Sequence, residues 1–335
     1  MIKYDYKTYP WRVAEGSFPI NRGAAEKMNF LLRYAILAPS SHNTQPWKFS
    51  VEEGLIRVYV NKDRWLRVAD ADQREMYISV GCALENLLVA AGRFGYDCEV
   101  TYFPEAGDER LVAALSLVES KGGNSFGDAE PFDAITARHT NHRRYKPRRI
   151  TPEDQRRIQD CCREEGVSLR LTDDRALKRE FDRLVIRADA IEFANPEFRD
   201  ELGYWIGEGA FGTPWLLAKL SQLALSYLDL GRWVAKSDSD VLMSAPVLGM
   251  LCSEADDRES QVKVGQVFER IYLKATLMGI SVQPMSQVLQ VPEVKREVAS
   301  LIAEANLFPQ QPFRLGYAEP EKEHTPRRPI EEALL

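Results

Sequence analysis

The chain has 335 residues, of which 44% are hydrophobic and 28% are charged, a composition typical of a globular protein with a sizeable core. Its formal net charge of −6 argues against nucleic acid as the main partner, because proteins that bind nucleic acid usually carry a basic face. The most apolar segment, residues 215–228, contains Lys219 and is more typical of an amphipathic helix than of a membrane span. We therefore expect no nucleic-acid partner and no membrane partner.

The cellular location is predicted from the cysteines and the N-terminus. Five cysteines are present, and the first residues lack the apolar core of a signal peptide. An odd number of thiols without a secretion signal indicates reduced cysteines, which predicts a cytoplasmic protein.

Hydrophobic periodicity predicts helices and strands in mixed order. The predicted helices cover residues 24–38, 75–95, 152–165, 175–193, 197–236, 258–278 and 293–305. The predicted strands cover residues 47–53, 55–61, 99–103, 111–119, 167–172, 246–253 and 313–319. Helices mixed with hairpin-like strands predict an α+β fold.

Two distant segments, residues 80–100 and 264–284, resemble each other at a constant offset. The matched residues are Val80, Gly81, Glu85, Ala91 and Gly95 in the first segment, with Val264, Gly265, Glu269, Ala275 and Gly279 in the second. Each segment predicts a helix that ends at a glycine and leads into a strand. Chance similarity of two helices is the alternative, but we predict an internal duplication with a break in the Gly-rich residues 120–131.

The first polar cluster, PSSHNTQPW (residues 39–47), follows a predicted helix end. Its hydroxyl and amide groups offer donors and acceptors that match the edge of a flat polar heterocycle. Ser and Asn also bond to their own backbone in turns, so a turn and a binding loop are equally supported by this segment alone.

Two further clusters are rich in arginine. RHTNHRRYKPRR (residues 138–149) suits a phosphate monoester, although a solvated basic loop is the alternative. HTPRRPIEE (residues 324–332) places two arginines between prolines, and we expect these arginines to fix the tail in an extended conformation. A fourth segment, GISVQPMSQ (residues 279–287), predicts a strand and a turn whose backbone N–H groups face a ligand.

Several other kinds of site lack their sequence signatures. The chain has no GxxxxGK[ST], no GxGxxG after a strand and no GxSxG nucleophile elbow, since GNSFG (residues 123–127) belongs to the Gly-rich linker. His139 and His142 are three residues apart, but the neighbouring arginines disfavour a metal cation. Kinase, hydrolase and metalloenzyme functions are therefore unsupported.

Taken together, these motifs resemble those of the FMN-dependent nitroreductases. PSSHNTQPWKF resembles their PSSxNxQPW segment, RHTNHRRY their phosphate-binding arginine segment, and PRRPIEEAL their C-terminal RKPLEE ending. The PSS segment precedes the arginine segment, whereas ordinary members have the reverse order in a shorter chain. This order resembles the long, internally duplicated branch that includes the mycobacterial Acg proteins.

The resemblance implies an architecture. It implies a nitroreductase-like α+β fold, with an antiparallel-rich mixed sheet flanked by helices, duplicated within one chain as a pseudo-dimer. Residues 1–122 would form the half with the PSS segment. Residues 123–335 would form the half with the arginine segment, a helical cover (residues 197–236) and the tail. Because each half keeps one part of a site, we expect one FMN per chain, in a monomeric pseudo-dimer or a homodimer.

The resemblance also implies which residues contact FMN. It assigns Arg138, His139, Thr140 and Arg327 to the phosphate, with one or more of His142, Arg143 and Arg144, and Arg328 in the same tail motif. It assigns Pro39, Ser40, Ser41 and Asn43 to the isoalloxazine and its pyrimidine edge, and Pro284, Met285, Ser286 and Gln287 to the ring near N4 and N5. Gln45 and Trp47 are predicted to secure the loop.

The implied activity is ping-pong hydride transfer from NAD(P)H through FMN to a nitroaromatic or quinone-like small molecule. The chemistry would belong to FMN, without a catalytic side chain. A flavin-sequestering protein is the alternative if residues 197–236 cover the ring. A relative that has lost flavin is a third possibility. Tyr204, Trp205, Phe211 and Trp215 would either stack on a ligand or belong to the core.

Overall fold

The computed structural model describes residues 9–52, 54–120, 130–210, 231–302, 306–321 and 323–335. The helices are α1 (Ala24–Ala35), α2 (Arg74–Arg93), α3 (Glu130–Ala137), α4 (Pro152–Gln159), α5 (Arg175–Ala194), α6 (Pro196–Gly207), α7 (Gly231–Ser244), α8 (Arg258–Leu277), α9 (Gln287–Gln290), α10 (Pro292–Leu301) and α11 (Ile330–Ala333). The strands are β1 (Trp47–Glu52), β2 (Leu55–Val60), β3 (Tyr96–Tyr102), β4 (Leu111–Glu119), β5 (Val167–Thr172), β6 (Val247–Ser253), β7 (Ser281–Pro284) and β8 (Phe308–Gly316).

Most predicted elements are present, and the clearest error concerns β8. The strand begins at Phe308, whereas the sequence predicted it only from residue 313. Pro309 and Pro312 lack a backbone donor and argued against a strand. The sheet accommodates Pro309 beside a register shift at Leu251 and Cys252, and Pro312 still accepts a hydrogen bond from the backbone N–H of Met285 (2.9 Å).

The strands form two four-stranded sheets of the same topology. The first has the order β1-β2-β4-β3 and the second β5-β6-β8-β7, so each places its strands in the order first, second, fourth, third. Each also has a register shift where its second and fourth strands pair. The predicted α+β fold and its duplication are confirmed. The ladders of the described residues are antiparallel, and parallel pairing is limited to the isolated bridges Phe49–Leu334 and Thr140–Val282.

The two halves differ most between their first and second strands. Only residues 53 and 54 separate β1 from β2, whereas residues 173–246, which include α5, α6 and α7, separate β5 from β6. Thr172 at the end of β5 still pairs with Leu248 near the start of β6. The segment 173–246, hereafter the hairpin insertion, is therefore an enlarged turn.

The helices α2 and α8 cross at a pair of glycines, one from each copy of the repeat. A Cβ atom on Gly81 would overlap the carbonyl oxygen of Val262 and lie 3.0 Å from the Cα of Gly265. A Cβ atom on Gly265 would overlap the carbonyl oxygen of Ile78. The backbones can approach this closely only because both residues lack a side chain. Helix α2 is buried on nearly all sides, so this crossing lies at the centre of the molecule.

The C-terminal segment, residues 323–335, lies against the first half. The backbone N–H of Leu335 donates to the carbonyl of Phe49 (2.9 Å), and Trp11 Nε1 donates to the carbonyl of Thr325 (2.8 Å). The backbone N–H of Arg328 donates to Gln45 Oε1 (2.8 Å). The expected fixed tail is present, and it links the last residues to β1 and to the loop before it.

Part of the predicted organisation falls outside the described residues. This applies to most of the linker at residues 120–131 and, within the helical cover, to residues 211–230 with Phe211 and Trp215. The division at residues 122 and 123 stays a prediction. Of the two described aromatic residues, Trp205 is buried in a small core cluster and Tyr204 is exposed. Among the helices that the structure describes, none has the length and apolar character needed to cross a membrane.

Gly81→Ala tests the helix crossing. We expect the free energy of unfolding to fall by about 1–3 kcal/mol, because the added methyl group overlaps the backbone of α8. In an unhindered helix the same change would stabilise the protein by roughly 1 kcal/mol. The sign of the change in unfolding free energy therefore shows whether Gly81 is needed for the close contact with α8. Urea unfolding followed by tryptophan fluorescence measures it. Gly16→Ala is the control, since a Cβ atom there meets no atom within 4 Å.

Candidate functional site

A cavity of about 410 Å³ lies between the two halves and receives residues from all four motif clusters. This volume is within the usual range for small-molecule sites. The predicted site residues that line it are Pro39, Ser40, Ser41, Asn43, Arg138, His139, Thr140, His142, Pro284, Ser286, Gln287 and Arg327. The structure thus brings together segments separated by up to nearly three hundred residues of chain.

The loop after α1 is held in an unusual conformation by its own side chains. His42, Asn43 and Gln45 have φ angles of 48°, 53° and 52°, in the left-handed region that non-glycine residues rarely adopt. Ser40 Oγ accepts a hydrogen bond from the backbone N–H of Gln45 (2.9 Å), and Gln45 Nε2 donates to the carbonyl of Asn43 (3.2 Å). Both features indicate a preformed loop, in which Gln45 has the securing role predicted from the sequence.

Asn43 joins three parts of the chain. Its Nδ2 atom donates to the carbonyls of Ala210 (2.7 Å) and Pro326 (2.9 Å), and its Oδ1 atom accepts from Arg327 Nη1 (2.8 Å). All of its hydrogen-bonding atoms thus have protein partners, so its ligand role is less direct than the sequence predicted. Asn43 connects the first half, the hairpin insertion and the tail.

Two buried arginines, Arg138 and Arg327, converge on the chain just beyond α1. Each is 2% exposed, and their Nη2 atoms donate to the same carbonyl of Leu37, at 3.1 and 3.2 Å. Arg327 Nη2 also donates to the carbonyl of Ala38 (3.0 Å). Guanidinium groups are favourable there because carbonyls at a helix C-terminus carry partial negative charge. The arginines therefore help to hold the halves together.

The same end of the cavity retains buried nitrogen atoms without hydrogen-bond partners. They are Arg138 Nε, His139 Nε2, His324 Nδ1 and Arg327 Nε. The nearby carboxyl is that of Glu269, 3.5 Å from Arg138 Nε, and burial raises its pKa to about 7 despite the opposing effect of Arg138. Two guanidinium groups thus face one partly protonated carboxyl. The guanidinium Nε–H groups are buried donors, whereas His139 Nε2 donates only when the ring is protonated, because its Nδ1 atom faces the carbonyl of Ala137 (2.9 Å). Two guanidinium groups and imidazoles that an anion would protonate fit a phosphate monoester.

Three aromatic rings stack along this end of the cavity. The ring of Trp11 lies 3.9 Å from that of His324, which lies 3.8 Å from that of His139. Burial, followed by the charges of His139, Arg138 and Arg327, lowers the pKa of His324 to about 3. Burial also lowers the pKa of His139. The stack is therefore built from neutral imidazoles near pH 7, although an anion bound beside them would favour protonation.

The arginine segment is attached to β7, which leads into the predicted ring-contacting turn. Tyr272 Oη lies within hydrogen-bond distance of both Thr140 Oγ1 (2.8 Å) and the carbonyl of Val282 (2.9 Å). Gln283 Nε2 lies 3.0 Å from His142 Nδ1, and Arg314 Nε donates to Gln283 Oε1 (2.7 Å). These contacts bring residues 140–142 alongside the Pro284–Gln287 turn.

Besides Arg144, which is exposed, three predicted site residues do not line the cavity. Arg143 is exposed and bonds to Glu321 through Nε (3.0 Å) and Nη2 (3.1 Å). Arg328 bonds to Glu332 (3.2 Å) and to Gln45, and so secures the tail. Met285 is buried in the core of the second half because the turn points it away from the cavity. A direct ligand contact predicted for these three residues has no support in the structure.

The cavity is also lined by five acidic residues that the sequence did not indicate as site residues: Glu75, Asp189, Glu192, Asp238 and Glu323. A signal was present for two of them. On α5, Asp189 and Glu192 occupy positions of the helical stripe that otherwise carries Phe181, Leu184 and Ala188. Acidic residues on the buried face of an amphipathic helix indicate a polar site beneath it.

Known proteins similar to this chain include nitroreductases. No protein-family model matches the sequence. Two Mycobacterium tuberculosis proteins are similar to it. "Putative NAD(P)H nitroreductase Rv3131" is 28% identical, over 92% of this chain and 91% of its own, and "Putative NAD(P)H nitroreductase acg" is 26% identical, over 90% and 93%. The chain is thus similar along most of its length to two putative NAD(P)H nitroreductases, one of which is Acg. The resemblance predicted from the motifs is confirmed.

Among solved structures, the FMN-dependent nitroreductase NfnB from Mycobacterium smegmatis, in complex with NADPH, is 16% identical to this chain. The superposition has a TM-score of 0.42 and covers 59% of this chain and 94% of NfnB.

His324→Phe tests the buried imidazole of the stack. The folded-state pKa of His324 is about 3, below its usual 6.5, so the unfolded chain binds more protons between these values. We expect the stability of the natural protein to fall as pH decreases through this window, and the variant to lose less. Urea midpoints at pH 5 and pH 8 measure the difference.

The pH 8 measurement is the internal control for His324→Phe, because the imidazole is neutral there in both states. Parallel losses of stability between pH 8 and pH 5 in the two proteins would contradict the assignment.

Proposed function

We propose that the protein is an FMN-dependent NAD(P)H oxidoreductase of the nitroreductase type, which reduces a small nitroaromatic or quinone-like acceptor. The observation that carries the proposal is the cavity between the halves, where all four motif clusters meet and two buried arginines and two imidazoles keep unpartnered nitrogen atoms. The names of the relatives, NAD(P)H nitroreductases, support the same activity.

The residues that would hold FMN divide into two groups. Arg138, His139, Thr140 and Arg327 would bind the phosphate, with His142 beside them. For the ring, the proposal uses the cavity-lining residues Pro39, Ser40, Ser41, Pro284, Ser286 and Gln287. Bound FMN would supply the transfer of a hydride from NAD(P)H to the acceptor. The protein's contribution is to bind, orient and shield the reactants. Phe193, Phe198 and Leu202 of the hairpin insertion supply an apolar wall that excludes water.

A flavin-sequestering function is the second candidate, and the position of the hairpin insertion favours it. Its residues Phe193 and Phe198 line the cavity, and Ala210 accepts a hydrogen bond from Asn43 of the first half. Phe193, Phe198, Trp205 and Ala210 also pack in one cluster with Leu66 and Ala69. An insertion attached to both halves can restrict the entry of a nicotinamide ring.

FMN titration of the flavin-free protein tests the site. We expect saturation at one FMN per chain, because the cavity draws its parts from both halves. His139→Ala should weaken binding by about tenfold, the loss expected for one hydrogen bond to a charged phosphate. Quenching of FMN fluorescence measures the affinity and the stoichiometry together. Arg143→Gln is the matched control in the same segment, and its affinity should stay within about twofold, since Arg143 contacts Glu321.

Two results would count against this site. Saturation at two FMN per chain would contradict a single site built from both halves, and an effect of Arg143→Gln as large as that of His139→Ala would contradict the placement of the phosphate. A protein that stays colourless after incubation with FMN would identify a relative that has lost flavin.

Anaerobic stopped-flow mixing separates the enzyme from the sequestering protein. We expect NADPH or NADH to bleach the flavin absorbance band of the holoprotein, because an oxidoreductase must let the nicotinamide reach the ring. Dithionite reduction of the same sample is the control that the flavin is reducible. Bleaching by dithionite with no bleaching by either nicotinamide would overturn the reductase and support sequestration.

A further inference from the structure

The cavity has a second polar surface whose charge is opposite to that of the arginine end. Glu75 of α2, Asp189 and Glu192 of α5 and Asp238 of α7, hereafter the acidic wall, all line it. Three of these residues belong to the hairpin insertion, which has no counterpart in the first half. Most of the acidic wall thus comes from one chain segment, while Glu323, a further acidic lining residue, belongs to the tail beside Arg327.

The acidic wall adjoins the segments predicted to contact the flavin ring. Glu75 accepts hydrogen bonds from Ser41 Oγ and, through Oε1, from Gln290 Nε2 (2.8 Å). Asp238 Oδ2 accepts one from Gln287 Nε2 (3.2 Å). A molecule placed beside Ser41 and Gln287 would therefore meet carboxyl groups.

Two side chains of the acidic wall each have a carboxyl oxygen without a hydrogen-bond partner. Asp189 and Glu192 are 2% and 7% exposed, and Asp189 Oδ2 and Glu192 Oε1 lack a hydrogen-bond partner. A buried carboxyl oxygen without a partner is costly, whether the group is ionised or protonated. Both residues line the cavity, so a ligand inside it is the natural source of the missing partner.

The groups that act on these carboxyls are mainly other carboxyls. Burial, then Asp238, raises the pKa of Asp189 to about 8, and burial raises the pKa of Asp238 to about 6. Glu192 has its pKa raised by burial and then by Asp189, Glu75 and Asp238. Arg314 opposes the shift at Asp238, but its own donors are bound by Gln283 and backbone carbonyls. Glu75 differs from the other three, because Arg74 Nη2 donates to its Oε1 atom (2.9 Å) in a buried ion pair. Within the described residues, Asp189, Glu192 and Asp238 form no ion pair with a Lys or Arg side chain.

An organic cation fits this surface better than a metal ion. No group of three or more His, Cys, Asp or Glu side chains among the described residues is arranged to hold a metal. Phe193, Phe198 and Leu202 line the same cavity as the acidic wall. Aromatic and aliphatic side chains beside carboxyls suit a flat molecule with a positively charged nitrogen.

We propose that the acidic wall recognises the electron acceptor, and that this acceptor is an aromatic or quinone-like molecule carrying a cationic nitrogen, such as a protonated amine. This inference rests on the proposed reductase function, because the bound molecule is an electron acceptor only if the protein is a reductase. The recognition itself depends on Asp189, Glu192 and Asp238. A bound cation favours the ionised form of these carboxyls and forms an ion pair with them, whereas an anionic acceptor of the same shape leaves them protonated and gains no ion pair. The wall therefore sets the preferred charge of the substrate.

A series of three nitrobenzenes that differ only in the charge of one substituent tests the proposal. The probes are 4-nitrobenzylamine, which is cationic at pH 7.5, neutral 4-nitrobenzyl alcohol, and anionic 4-nitrobenzoate. Isothermal titration calorimetry on the oxidised holoprotein, without any reductant, gives each Kd. We expect the amine to bind at least about tenfold more tightly than the alcohol, and the benzoate more weakly than both.

Amide variants assign the preference to the wall. Asp189→Asn and Glu192→Gln keep the shape of the side chain but cannot ionise beside a bound cation, so the preference for the amine should fall to about threefold or less. Asp182→Asn is the matched control on the same helix. Burial raises the pKa of Asp182 as well, but its Oδ2 atom accepts from Ser239 Oγ (2.9 Å), and it is not a lining residue of the cavity. This variant should keep the full preference.

The unsubstituted protein alone can overturn the proposal. It would do so if the amine and the alcohol bound with equal affinity, or if the benzoate bound more tightly than the amine. A preference for the amine that survives both amide changes would overturn the assignment to Asp189 and Glu192. Flavin content is measured first. If the protein holds no FMN, the reductase function fails, while the same charge series on the flavin-free protein still tests the wall.

Discussion

The close contact of α2 with α8 is the constraint on which the rest of the structure depends. Each helix follows the second strand of its sheet and precedes the third, so the crossing fixes how the two sheets face each other. Gly81 and Gly265 occupy matching positions of the repeat, and each lacks the side chain that would separate the helices. The absence of a side chain at Gly81 and Gly265 therefore sets the distance between α2 and α8, and with it the spacing of the two halves that line the cavity.

The site illustrates how one residue can serve both folding and binding. Arg138 and Arg327 donate to backbone carbonyls beyond α1, yet each keeps an Nε atom free of hydrogen bonds at the cavity. A bound phosphate would complete the coordination of guanidinium groups that already join the two halves. Binding and the stability of the interface between the halves are thus coupled through the same side chains.

Much of the fold and part of the site followed from the sequence. The glycine-ended repeat, the hairpin strands and the motif clusters depend on local periodicity and spacing, which a sequence displays directly. Which partner each side chain contacts does not follow from the sequence. Asn43 and Arg328 carry polar groups that suit a ligand, but tertiary neighbours claim them. Likewise, the meeting of Glu75 with residues more than a hundred positions away depends on chain crossings that no local pattern encodes.

The hairpin insertion begins and ends at neighbouring strand ends, since Thr172 and Leu248 are paired. With respect to the sheet, the insertion is a long loop. The entropic cost of closing a loop increases only slowly with its length, so a change in this segment has a small effect on the stability of the sheet. The insertion supplies most of the acidic wall, while the helix crossing and the arginine end lie outside it. If the acidic wall recognises the acceptor as proposed, replacement of this one segment would change the choice of acceptor while Arg138 and Arg327, which lie outside it, stay in place.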